Sequence, residues 1–65
     1  MASFDDARQR AAATYNLGCF YATSGQRDQA VALIEEALAQ ASELRKVARG
    51  DPDLESIRHM LGLDA

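Results

Sequence analysis

One cysteine and one histidine are all that this chain offers of the residue types from which disulfides and thiolate–imidazole metal sites are built. Cys19 has no second thiol to pair with, so no intramolecular disulfide can form, and single members cannot assemble a Cys/His metal set. No run of 18 apolar residues occurs, which removes a membrane-spanning helix. The opening MASFDDARQR sets charges where an export signal needs an apolar core. Basic residues are outnumbered: 7 Lys and Arg against 10 Asp and Glu leave a net charge of −3, the wrong sign for holding nucleic acid through its phosphates. No nucleophile stands with a base, no glycine-rich phosphate loop follows a strand, and no ligand cluster is visible. These gaps set the expectation of a non-enzyme with no cofactor and no metal, binding neither nucleic acid nor membrane. A free thiol without an export signal adds a cytoplasmic location to it.

What is present is 48% apolar and 26% charged residues in a chain of 65, a composition that folds. A domain this short buries only about 60% of the surface its unfolded chain exposes, so it needs added support. With disulfide and metal excluded, self-association or a partner surface has to supply it.

The apolar pattern is helical throughout, and no strand-like alternation occurs. Ser3 followed by Phe4, Asp5 and Asp6 is a helix start, with a capping side chain and acids in the first turn. Phe4, Ala7, Ala11, Thr14, Gly18 and Tyr21 then recur at three and four, one stripe on a helix A of about 4–24 that ends at Ser24-Gly25. After a turn too short for anything but an antiparallel neighbour, helix B is expected over about 28–49, with Ala30, Ile34, Ala37, Ala41, Leu44 and Ala48 as its stripe. Gly50-Asp51-Pro52 is the strongest punctuation in the chain: Gly50 closes helix B, Asp51 caps the next turn, and Pro52 fits its first position. Leu54, Ile57, Met60 and Leu61 give a short helix C over about 52–61, stopped by Gly62. The class is therefore all-α: an antiparallel helix–turn–helix hairpin plus a short C-terminal helix, one domain over 1–65.

Aligned on Leu17-Gly18, the stretch YNLGCFYATSGQRDQAVALIEEAL carries Tyr21, Gly25, Ala30, Ile34 and Ala37 at the intervals of a tetratricopeptide repeat, and it resembles one over residues 11–44. Independently of the family, Gly18 and Ala30 are small where two helices must approach, and Leu17, Tyr21 and Ile34 are large enough to fill the space between them. Two positions depart from the signature. Thr14 replaces its first aromatic residue, and Ser42 replaces its closing proline, so helix B is expected to run on past the repeat's usual end.

The resemblance implies a non-catalytic protein–protein interaction module. It places Tyr15, Asn16, Cys19, Ala22 and Thr23 on the helix-A face that in the family receives a protein or peptide partner, with burial in a self-association interface as the other reading of that face. A single repeat cannot bury all its apolar surface, and Phe20, Val31, Leu33 and Leu38 are the expected self-association set in a homo-oligomer, most simply a dimer. The alternative is a terminal repeat or oligomerisation domain of a larger helical-repeat assembly, with a purely structural role. Cys19 reads as a small half-buried residue, since no base or helix N-terminus adjoins it. His59 reads as a surface residue, and Glu35-Glu36 as a solvated face, because consecutive helix positions diverge by about 100°.

Overall fold

Helix α1, Phe4–Thr23, and helix α2, Arg27–Gln40, form an antiparallel hairpin in the computed structural model, which describes residues 4–63. The expected Ser3 cap lies outside those residues. The all-α class and the hairpin are as the apolar pattern predicts, and among the described residues no strand occurs. The turn is closed by a Schellman arrangement: Gln26 N–H donates to Tyr21 O at 2.9 Å and Gly25 N–H to Ala22 O at 3.3 Å. Gly25 adopts φ +84°, a left-handed conformation that a side chain would disfavour.

Small residues set the spacing of the hairpin. Ala11, Ala30 and Ala37 are fully buried, and a Cβ added at Gly18 would stand 2.5 Å from Cδ1 of Ile34, itself fully buried. The backbone of α1 at Gly18 therefore rests directly on the Ile34 side chain. Here the residue-level reading of Gly18, Ala30, Ile34 and Ala37 matches the packing.

Beyond Gln40 the chain departs from the expected continuous helix B. Ala41 takes an extended conformation (φ −142°, ψ 90°), and a separate helix α3 begins at Leu44 and ends at Gly50. A straight helix over 28–49 would run about 33 Å and carry its last turns away from the hairpin. The break at Ala41 lets the chain return. Ser42, a residue that competes for backbone hydrogen bonds, stands within it, and the freed groups are satisfied by Leu44 N–H to Ala41 O and Arg45 N–H to Ser42 O, both 3.0 Å.

Helix C also differs from its expected form. Pro52–Leu54 is a single 3-10 turn, with Asp51 accepting from Asp53 N–H as its cap, and consecutive turns follow to Gly62. A second Schellman closure ends them: Leu63 N–H donates to Arg58 O and Gly62 N–H to His59 O, with Gly62 at φ +70°. This returning segment supplies much of the core. Ala48, Leu54, Ile57 and Leu63 are buried with Tyr15, Ala22, Ile34 and Leu38 in one cluster.

Candidate functional site

The face of α1 expected to receive a partner is instead covered by the chain's own C-terminal segment. Tyr15, one of the expected contact residues, is 6% exposed, and so is Ala22. The Tyr15 hydroxyl donates to Oδ2 of Asp51 at 2.7 Å. Cys19 lies half-buried with its sulfur 3.8 Å from the same oxygen. Asn16 and Thr23 remain exposed, with the Thr23 hydroxyl turned back onto Phe20 O. The physical reason is competition: Leu54 and Ile57 gain more by covering Tyr15 and Ala22 than by staying in water, and the bend at Ala41 brings them there.

Asp51 organises this region. One carboxylate oxygen accepts from Tyr15 and Cys19, the other accepts from Asp53 N–H, and the Asp51 carbonyl accepts from the Arg58 guanidinium at 3.2 Å. Burial pushes the Cys19 thiol up to about 11, helped by the negative charge of Asp51. Burial raises Tyr15 as well, and the hydrogen bond to Asp51 adds to it. Both groups stay protonated at neutral pH and serve as donors, not as nucleophiles.

Cys19, Asp51 and Asp53 also bring three possible ligand atoms within 4.8 Å of one another. The donor set fits a metal ion poorly. Its central carboxylate is already engaged as a cap and as the acceptor for Tyr15, and a thiol must lose its proton to ligate, which this setting disfavours. Two shallow grooves, between Ala22-Thr23 and Pro52–Ser56 and beside Ser42–Arg49, bring no histidine against a nucleophile. Arg8, itself exposed, lies on the Tyr15–Cys19 side of α1 and pairs with Glu43 at 3.2 Å.

The residues predicted for self-association divide. Leu38 is buried in the chain's own core and so is not available to a second molecule, while Val31 is half-buried against that core. Both lie on the side of α2 that faces the returning segment. Leu33 is half-buried next to Gly18, and Phe20 is 60% exposed.

Leu17, expected inside the hairpin, is 46% exposed. One helical step of about 100° from Gly18 turns it out of the interhelical contact, and three residues on, Phe20 projects to the same side. Phe20 meets the edge of the half-buried Tyr21 ring, centroids 5.7 Å apart. Helical spacing adds Ala13, four residues before Leu17, so Ala13, Leu17 and Phe20 make one exposed stripe. The signal for it was in the sequence: from Ala11 to Ser24 no charged residue occurs, although a solvent-facing helix side normally carries charge.

Among the described residues, no helix is long and apolar enough to cross a membrane. Compared with protein-family models, curated proteins and solved structures, the chain matches none of them.

Proposed function

We propose that this chain is a non-catalytic protein–protein interaction module of the tetratricopeptide type, which self-associates through the open side of α1. The carrying observation is the exposure of Leu17 and Phe20 side by side on a stretch of helix without charge. Burying a Leu or Phe side chain is worth about 1.5–3 kcal/mol, a large sum beside the total stability of a domain this small. The buried Gly18–Ile34 contact, with Ala30 and Ala37, supports the kinship to the repeat family. The proposed contact side is not the one that the resemblance implied, because the Asp51–Leu63 segment already occupies that one.

Light scattering during size-exclusion chromatography tests the proposal. The mass is expected to rise above that of one chain as concentration increases, and Phe20→Glu, an exposed position, should return it to a monomer with unchanged helicity. A chain that remains monomeric into the millimolar range overturns it.

A second reading has its own support. One side closed by the chain's own C-terminal segment and the other left open is the asymmetry of a terminal unit, which stacks on a preceding repeat. Such a unit would stay monomeric alone and lose its monomer only when a hairpin supplying a complementary apolar face is added.

A further inference from the structure

We infer that the groove lined by Ser42, Arg45, Lys46 and Arg49 takes an acidic segment of a partner protein, whose side-chain carboxylates pair with the three cations. This surface is separate from the Leu17–Phe20 side of α1, so the inference does not depend on self-association. Three of the chain's seven basic residues fall within positions 45–49, and the other 60 residues carry four against all ten acidic ones. Arg45, Lys46 and Arg49 are exposed on α3 and lie within about 100° of one another around its axis. With Ser42 and Glu43 they border a groove of about 450 Å³. Glu43, the one acid lining it, has both carboxylate oxygens held by Arg8, each at 3.2 Å. Among the described residues the three cations have no side-chain hydrogen bond or ion pair of their own.

Two features of this arrangement oppose folding. In a continuous helix over 28–49 all three cations would sit near the C-terminal end, which the helix dipole favours. The break at Ala41 instead places Arg45 and Lys46 in the first turn of a new helix, where positive charge is disfavoured, and leaves only Arg49 at a favourable end. Arg45 and Arg49, four apart, also repel one another. An anionic ligand relieves both costs. Arg45 and Arg49 are separated by about 6 Å of helix rise, close to the roughly 7 Å between alternate side chains of an extended peptide, so acids at every second position can meet both. Nucleic acid or an anionic membrane is a poorer fit. Beyond a Debye length of about 8 Å the net charge of −3 outweighs the local positive charge. Val47, the exposed large apolar residue of α3, stands about 100° beyond Lys46 and outside the arc of cations.

Fluorescence anisotropy of a labelled peptide of about ten residues, glutamate alternating with serine, tests this on the full chain at about 50 mM salt. Binding is expected with a Kd on the order of 10–100 μM, weakened at least about 10-fold at about 500 mM salt. Arg45→Gln and Arg49→Gln, at exposed positions, should each weaken it about 5-fold. Arg27→Gln, at the exposed start of α2, removes the same charge and should leave it within about 2-fold. Equal loss in all three variants would show attraction to overall charge and overturn the inference. So would equal affinity for the peptide with glutamine in place of glutamate, no binding at about 1 mM, or tighter binding of single-stranded DNA or of phosphatidylserine vesicles than of the peptide. Unchanged circular dichroism shows that the variants compared are folded. Light scattering of the same samples should give Arg45→Gln and Arg49→Gln the mass of the parent chain; a changed mass would make the groove a contact between copies and overturn the inference.

Discussion

The Tyr15 hydroxyl donates a 2.7 Å hydrogen bond to Oδ2 of Asp51, 36 positions further along the chain, and so ties the middle of α1 to the end of α3. The acceptor is a carboxylate, which places the bond among the stronger ones, about 1.5–3 kcal/mol. Tyr15→Phe keeps the ring packed and removes only the hydroxyl. It is expected to lower stability by about 1–2 kcal/mol, read from urea unfolding followed by circular dichroism, with the slope unchanged. Asp51→Asn should cost at least as much, since Asp51 also caps the 3-10 turn, and the double variant should cost less than the sum. Strict additivity would show that the two side chains do not interact in solution.

Raising the pH should loosen the same region. The thiol of Cys19 goes from 9.0 to about 11 on folding, so the folded chain keeps a proton that the unfolded chain releases. Its contribution to stability is complete below pH 9 and is lost as pH climbs through 11. Tyr15 is displaced in the same direction and adds to the loss at the upper end. Urea midpoints measured from pH 8 to 11 should fall, and Cys19→Ser should flatten the first part of the fall. At pH 8 the folded chain should react with iodoacetamide about 100-fold more slowly than an unfolded peptide containing Cys19, in proportion to the thiolate present.

At Gly18 two effects oppose one another. Alanine is the better helix former by about 1 kcal/mol, but its Cβ would lie 2.5 and 2.8 Å from Cδ1 and Cγ1 of Ile34, which is fully buried. Overpacking of this kind costs about 1–3 kcal/mol, so Gly18→Ala should be destabilising by up to about 2 kcal/mol net. Ile34→Val removes Cδ1 and should recover part of that loss in the double variant. A stabilised Gly18→Ala protein would show that the helices can move apart at no cost.

The returning segment should prove indispensable to folding. Leu54 and Ile57 rank with Ile34 as the largest fully buried side chains, and emptying such a site costs about 2–5 kcal/mol. In a domain of this size that is most of the available stability. Leu54→Ala is therefore expected to be largely unfolded at 25 °C by circular dichroism, whereas Met60→Ala, at a 48% exposed position, should change little.

The local features were legible because they depend on near neighbours in sequence. Gly25 and Gly62 end their segments where a left-handed residue is required, and Asp51-Pro52 starts a turn as its chemistry dictates. The buried positions Ala11, Ala30, Ile34 and Ala37 follow from a 3.6-residue period, and Gly18 against Ile34 from the small-against-large rule of close helix contacts, whereas Ala41, Leu44 and Ala48 of the second stripe lie beyond α2. The uncharged run from Ala11 to Ser24 set this part of α1 apart, but it spans every side of the helix and so did not tell which side is open, and Leu17 was expected inside the hairpin.

Tertiary structure decided the rest. Nothing local in Ala41-Ser42-Glu43 forces a break, since alanine and glutamate favour helix; the chain bends there because bending brings Ala48, Leu54, Ile57 and Leu63 onto the hairpin. That long-range burial turned Tyr15, Cys19 and Ala22 from an expected binding face into core and hydrogen-bond partners, and drew Leu38 inward with them. A periodic pattern tells which residues share a side of a helix. Only the competition among segments for the same apolar surface determines which side the chain covers for itself and which it leaves, at Leu17 and Phe20, exposed.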